Sequence, residues 1–390
     1  MTHGAAVGVA ACAAYDGQRV AAALEEALSP LGGMSAFVSA GQRVFVKVNL
    51  LMKAIPDRAV TTHPELVRAV VRAAFACGAA EVLVGDSPAG RATSASTTEA
   101  LEAAGIAGVC AQEGARLSLL AESVVRVKAE GGRLYQSFNL GRDAVEADVL
   151  INLPKLKTHT FMMYTGAVKN LFGTVPGLEK AQFHINVPDR DDFADMLVDL
   201  LLACAPELTV MDAVVGMEGQ GPSGGSPRPI GALLASADAV ALDMIASAIA
   251  GFEPMDVYTN RAAARRGMAP ASLDDIRVEG PDWRGFVVRD FAQPVRDVTR
   301  SLPPSLARRL RRHTVSSPEL QRPEDCNSCG TCGRDCPVSA IDLAGGRPSF
   351  DYDACIRCYC CQELCPQKAI GLRTPWLVRA VLGRETGHGA

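Results

Sequence analysis

The sequence predicts an α/β chain, a mainly parallel sheet with helices on both faces, followed by a small α+β module near its C-terminus. Three observations carry this. Before residue 300, short runs rich in Val, Ile and Leu alternate with longer Ala/Leu-rich amphipathic stretches, as in strands joined by crossover helices. Polar residues gather where those runs end, which is where an open parallel sheet presents its ligand crevice. After residue 317 the alternation stops and two closely spaced cysteine runs replace it.

Residues 1–15 are apolar without Lys or Arg and read as a first strand leading into a helix over 16–28. Val9-Ala10-Ala11-Cys12 mimics a lipoprotein cleavage site but lacks a basic n-region. Further strands are expected at 43–50, 81–85, 149–153, 208–212 and 230–235. Helices are expected at 19–28, 64–77, 94–104, 191–205 and 238–250. Pro64 suits a first helical turn, with Thr62 or His63 capping it, and Gly78 suits its end. Gly219, Gly221 and Gly224 spell G-x-G-x-x-G, but Gly225-Ser226-Pro227-Arg228-Pro229 forbids the helix a dinucleotide site needs. A loop over the site, with Glu218 at its base, is the expectation. No phosphate-binding P-loop motif is present.

The cysteine runs are Cys326, Cys329, Cys332, Cys336-Pro337 and Cys355, Cys358, Cys361, Cys365-Pro366. Each reads C-x2-C-x2-C-x3-C-P, the spacing with which bacterial two-cluster ferredoxins hold a pair of [4Fe–4S] cubanes, the fourth cysteine ligating the other cluster. The expected ligand sets are therefore Cys326, Cys329, Cys332 and Cys365 for one cluster, and Cys355, Cys358, Cys361 and Cys336 for the second. Zinc would need only four ligands in two pairs, and disulfides suit small secreted scaffolds. Cys360 breaks the spacing and reads as a non-ligand thiol. Cys12, Cys77, Cys110 and Cys204 lie in apolar surroundings and read as buried structural cysteines.

The net charge of −4 argues against nucleic-acid binding, and no apolar stretch is long enough for a membrane span. Thirteen cysteines, eight of them suited to reduced clusters, point to the cytoplasm.

The strand ends carry Lys47 and Asn49, then Asp86 and Ser87, then Lys155, Lys157 and His159, then Asp212. Lys169, Asn170 and Glu218 are expected to join them. Lysines with a histidine suit phosphate, carboxylate or a developing oxyanion, while Asp86 and Asp212 offer proton transfer or a hard-cation site. His159, Lys157 and Asp86 are the candidate catalytic groups, with His159 as proton donor because its ordinary pKa lies nearest neutrality. A structural role for His159, capping its loop, stays open, and His63 reads as a helix-start residue. His184, in a Gly/Pro-bounded segment, could be a lid residue.

Phe45-Val46-Lys47-Val48-Asn49-Leu50, Thr62-His63-Pro64-Glu65, Val84-Gly85-Asp86-Ser87-Pro88, Leu153-Pro154-Lys155-Leu156-Lys157-Thr158-His159 and Gly166-Ala167-Val168-Lys169-Asn170-Leu171-Phe172-Gly173 resemble the landmarks of one family. It is the iron–sulfur-centre proteins of domain-of-unknown-function family 362. The resemblance covers about residues 5–300 and implies an α/β domain with iron–sulfur redox chemistry, without a substrate. Members frequently carry the same tandem ferredoxin module.

The expected organisation is an α/β domain over 1–300, a basic linker over 301–317, a two-cluster ferredoxin-like domain over 318–373 and a tail over 374–390. Arg300, Arg308, Arg309, Arg311 and Arg312 suit either a packed linker helix or a docking surface for an acidic electron donor. Two functions are compatible with all this. One is an oxidoreductase passing electrons from two [4Fe–4S] clusters to a small anionic substrate. The other is a non-catalytic electron-transfer or redox-sensing protein whose α/β domain binds a partner or metabolite. Either implies a low-potential electron donor or acceptor protein.

Overall fold

The computed structural model describes residues 5–91, 93–177, 179–294, 314–375 and 378. The arginines at 300–312, and all of the 374–390 tail except residues 374, 375 and 378, lie outside these. The strands of the main sheet are β1 (Ala6–Ala11), β2 (Arg43–Val48), β3 (Glu81–Asp86), β4 (Arg116–Leu119), β7 (Val149–Leu153), β8 (Lys155–His159), β9 (Met163–Thr165), β10 (Leu208–Glu218), β11 (Ser226–Ser236) and β12 (Arg277–Glu279), with β5 (Val124–Lys128) and β6 (Ser137–Gly141) forming a separate hairpin. Along the sheet the order is β12-β1-β11-β10-β7-β2-β3-β4, and β8 continues from β7 beside the far half of β10. Every pair on this path is parallel except those made by β11. The chain is thus the mainly parallel α/β protein that the sequence predicts.

Strand alternation separates two cores. Phe45, Leu83 and Leu150 face one of them with the helices Arg190–Cys204 and Ala239–Ile249. Val44, Val46, Val82, Val84, Val149 and Ile151 face the other, with Gly17–Leu28 and Pro64–Ala76. A strand buried on both faces must be apolar at consecutive positions, and β2 is buried from Val44 to Val48. His63 caps its helix as expected, its Nδ1 accepting from the Glu65 N–H at 3.2 Å.

β10 and β11 run to 11 residues each, twice the expected length, and the glycine-rich segment is the turn between them. The hairpin β8–β9, the helix Ile106–Glu113 and the short helices Ala167–Asn170 and Glu179–Asn186 are additional to the elements expected from sequence. Cys12, Cys110 and Cys204 are buried and Cys77 is half-buried.

The C-terminal module is built from two antiparallel pairs, Ser317–Leu320 with Ile370–Arg373 and Ile341–Asp342 with Ser349–Phe350, and two short helices, Thr331–Arg334 and Cys360–Glu363. It docks on the carboxyl edge of the sheet. Thr160 Oγ1 donates to Gln362 Oε1 at 3.1 Å, Gln362 Nε2 donates to Gln220 O at 3.1 Å, and Ser223 Oγ donates to Glu363 O at 2.6 Å. The glycine-rich turn is therefore a docking element for the module. On the other side the Arg91 N–H reaches Asp335 Oδ1 at 3.2 Å.

Candidate functional site

The strand ends and the docked module line a cavity of about 100 Å³. From the strand ends come Asn49, Asp86, Ser87, Lys157 and His159; from the two short helices that follow Lys169, Asn170, Lys180 and His184; from the module Asp335, Cys360 and Glu363. Seven residues expected from sequence thus share one cavity, although they come from separate segments.

Lys47 lies just beneath it, fully buried, 3.0 Å from Asp86 Oδ1 and donating to Val48 O at 2.7 Å. Asp86 also accepts the Leu50 N–H through Oδ2 at 2.6 Å, so this carboxylate ties two strand ends together. Gly173 covers the pair. A Cβ there would fall 2.0 Å from Asp86 Oδ1 and 2.5 Å from Lys47 Nζ. Gly173→Ala is expected to force the pair apart and destabilise the chain by about 2–3 kcal/mol, seen as a lower denaturation midpoint.

Asn170 knits the floor, its Nδ2 donating to Asn152 Oδ1 at 2.8 Å while its Oδ1 accepts from Asn49 Nδ2 at 3.0 Å. The short helix carrying Lys169 and Asn170 is pinned from behind by Asp243, which accepts the Ala167 and Val168 N–H groups at 2.6 and 3.0 Å.

Three lysines face the space. Lys157 Nζ donates to Asn49 Oδ1 at 2.6 Å and Val60 O at 2.8 Å. Burial, aided by Lys169 and Lys155, lowers its pKa to about 7. Lys180 Nζ donates to Ser87 O and, at 3.2 Å, to Pro88 O. Burial lowers its pKa to about 7 as well, with Lys47 and Lys169 adding to the effect. Lys169 has its ammonium 5.6 Å from the Phe172 ring centroid.

His159 does not fit the role of an acid. Its Nδ1 accepts the Phe161 N–H at 3.1 Å, which leaves the proton on Nε2, 3.4 Å from Glu363 Oε1. Burial first, then Lys169 and Lys157, holds its pKa well below the ordinary histidine value. It is a neutral donor and a loop cap. His184 is also neutral, its pKa lowered to about 3 by burial and Lys169, and it stacks on Phe193 at 4.7 Å. Its Nδ1 and Glu363 Oε1 are buried without a hydrogen-bond partner among the described residues. Such groups are costly unless something fills their valence.

Lys155, Asp212 and Glu218 are not in the cavity. Val210 and Asp212 share a face of β10, the face of the helices Gly17–Leu28 and Pro64–Ala76. There Asp212 pairs with Lys155 at 3.0 Å, accepts from Tyr15 OH at 2.6 Å and takes the His63 N–H at 2.9 Å. With Tyr15 stacked on His63 at 3.5 Å, this is a closed structural network. Glu218 stands 3.7 Å from Arg228 and accepts the Ala292 N–H at 3.0 Å. Lys180, Glu363 and Cys360 were not among the expected site residues; the helical i, i+4 pair Lys180 and His184 is the one sequence signal that bears on them.

The module fits iron–sulfur cores in two respects. A cavity is lined by Cys326, Cys329 and Cys332 of the first run together with Cys365 of the second. Left-handed backbone recurs at equivalent places in the two runs, at Ser328 and Arg357, Gly330 and Tyr359, Ser339 and Lys368. Residues kept in such conformations mark loops shaped for a task. Among the described residues no group of three or more His, Cys, Asp or Glu converges on a point where one metal ion could sit; the thiols ring a space instead.

A parallel α/β sheet whose strand ends meet a 4Fe-4S ferredoxin-like module defines an iron–sulfur protein equipped for electron transfer. Residues 44–248 match a domain of unknown function, DUF362, and residues 319–366 match a 4Fe-4S dicluster domain. The chain belongs to the DUF362 family. A thylakoid-associated protein of Synechocystis is 39% identical over 268 residues, covering 67% of this chain and 79% of that protein. The pyruvate synthase subunit PorD of Thermotoga maritima is 40% identical over 60 residues, 15% of this chain and 60% of that one. A component of an ion-translocating oxidoreductase complex from Methanosarcina acetivorans is 40% identical over 48 residues, 12% of this chain and 18% of that one. The lactate racemase apoprotein from Thermoanaerobacterium thermosaccharolyticum superimposes with a TM-score of 0.40 at 13% identity, covering 63% of this chain and 57% of that one. No helix among the described residues is long and apolar enough to cross a membrane.

Proposed function

We propose that the chain is an iron–sulfur oxidoreductase that reduces a small anion held in the cavity, with electrons from a low-potential partner protein. In this reading two [4Fe–4S] clusters are held by Cys326, Cys329, Cys332 and Cys365, and by Cys355, Cys358, Cys361 and Cys336. When bound they supply one-electron transfer at a potential set by their surroundings. The observation that carries the reading is the wall shared by the two units: Cys360 and Glu363, placed among the ligands of the second cluster, line the same cavity as Lys157, Lys169 and Lys180. A ligand touching those lysines is then beside the second run of thiols.

The residues divide the work. Lys169 and Lys180 hold negative charge, Asn49 and Asn170 keep Lys157 and the floor in place, and His159 offers an Nε2–H hydrogen bond. Adding electrons to a substrate calls for protons as well. Lys157, balanced near neutrality, is better matched to that than His159, because a donor works best with its pKa near the working pH.

A non-catalytic electron-transfer role is the second reading, favoured by the module's likeness to PorD, itself a subunit of a larger enzyme. Both are tested by adding formate, acetate or sulfate to the anaerobic, cluster-loaded chain. An anion should raise thermal stability by mass action, and Lys157→Ala should abolish that rise while leaving the cluster absorption unchanged. Reoxidation of the dithionite-reduced protein by a bound small molecule supports the reductase. Stabilisation without any reoxidation across a panel of reducible anions favours the second reading.

A further inference from the structure

We propose that the cavity selects a small dianion, gripped jointly by Lys157, Lys169 and Lys180. This rests on the reading of the cavity as a ligand site and deepens it by naming the charge class of the ligand.

Hydrogen-bond accounting gives the first argument. An ammonium carries three N–H donors. Lys157 uses two on Asn49 and Val60, and Lys180 uses two on Ser87 and Pro88. Each keeps one for the cavity it lines. Lys169 makes no hydrogen bond among the described residues and keeps all of its donors. The lysines stand on separate elements, β8, the helix Ala167–Asn170 and the helix Glu179–Asn186, so they close on the space from different walls.

Charge gives the second. Asp86 is matched by Lys47 at 3.0 Å. Asp335 lies 4.0 Å from both Arg91 and Arg334. His159 and His184 face the space uncharged. Glu363 is the remaining carboxylate of the lining. If it is ionised, the three protonated lysines leave two positive charges unmatched; if it is protonated, they leave three. Unmatched charge in a buried space is costly. A monoanion leaves at least one positive charge unmatched in either case, whereas a dianion balances the lining when Glu363 is ionised and comes within one charge of it when Glu363 is protonated.

Volume supplies the third. About 100 Å³ is well below the 300–1,000 Å³ of drug-sized sites, so the occupant has only a handful of heavy atoms. That chemistry is shared by short dicarboxylates and by inorganic oxyanions. The lowered pKa of Lys157 and Lys180 agrees, since an empty cavity relieves its surplus charge by shedding protons. Dianion binding should then take protons up.

The test is titration calorimetry on the full, cluster-loaded chain under argon at pH 7.5 and fixed ionic strength, with malonate, sulfate and acetate. At least one dianion is expected to bind ten times more tightly than acetate or better, with net proton uptake when buffers of different ionisation heat are compared. Malonate ahead of sulfate assigns a dicarboxylate, and the reverse assigns an inorganic oxyanion. Lys180→Gln should cut the advantage over acetate to less than threefold. Acetate binding as tightly as both dianions, without proton uptake, overturns the dianion while leaving the cavity a ligand site. Binding of none of the three removes the ligand-site reading itself. If Lys180→Gln does not fold, the wild-type comparison with acetate still decides.

Discussion

Anaerobic reconstitution of the full chain is expected to give about eight irons and eight sulfides per chain, and Cys361→Ser to lose about half of each. The interleaving of the runs makes the sharper claim. Cys332 and Cys365 share one cavity although they belong to different runs, and the Cys355 and Cys361 thiols feel Cys336 of the first run as a near neighbour. Cys332→Ser and Cys361→Ser should therefore each remove one cluster and spare the other. Their consequences for the cavity differ. Cys361 lies inside the helix Cys360–Glu363, whose two end residues line the cavity, so its variant should also lose stabilisation by anions. Cys332 lies on the helix Thr331–Arg334, none of whose four residues lines the cavity, and its variant should keep that stabilisation. Cys360→Ala should retain all the iron. One zinc per run with no visible absorption would defeat the two-cluster assignment, and loss of half the iron in Cys360→Ala would defeat the ligand choice in the second run.

Which parts of this site were legible in sequence follows from range. The strands announced themselves because a two-faced parallel strand such as β2 must be apolar at successive positions, and the polar residues at its end then stood out. What the pattern could not give was pairing between strands. Its place at a strand end suggests a ligand-binding role for Lys47, yet parallel register sets Lys47 against Gly85, one residue before Asp86, and the two charges close on each other. Pro154 separates β7 from β8, and the two lysines of Lys155-Leu156-Lys157 end in different surroundings that local sequence cannot distinguish. Lys155 enters the Tyr15–Asp212 network and Lys157 enters the cavity. An ordinary pKa for His159 presupposes exposure, whereas in the fold the side chain is buried and the docked module sets Glu363 3.4 Å from its Nε2. Glu363 was invisible for the same reason: a glutamate in a four-residue helix reads as solvated until that helix is docked.

Burial of Lys157 and Lys180 also dictates how stability should respond to pH. Both have pKa values near 7 in the folded chain against an ordinary 10.5. Between those limits the unfolded chain binds more protons than the folded one, so stability must rise with pH. The penalty of burying the two ammonium groups is complete below about pH 7 and is relieved as pH climbs toward 10. Each fully titrating lysine contributes a slope of about 1.4 kcal/mol per pH unit. Lys368, lowered to about 8, adds to the same slope from partial exposure. The anion-free, cluster-loaded chain should accordingly melt at a higher temperature at pH 8.5 than at pH 7. Replacing Lys157 and Lys180 together by Met should flatten most of that rise. A saturating small anion should reverse the trend, because it binds the charged lysines that high pH removes; its stabilisation should be largest near pH 6.5 and fade by pH 8.5. A wild-type melting temperature that is flat or falls between pH 7 and 8.5, or a double variant with the wild-type slope, would mean that these lysines keep their charge in the fold, and the cavity would then hold a permanent cationic site.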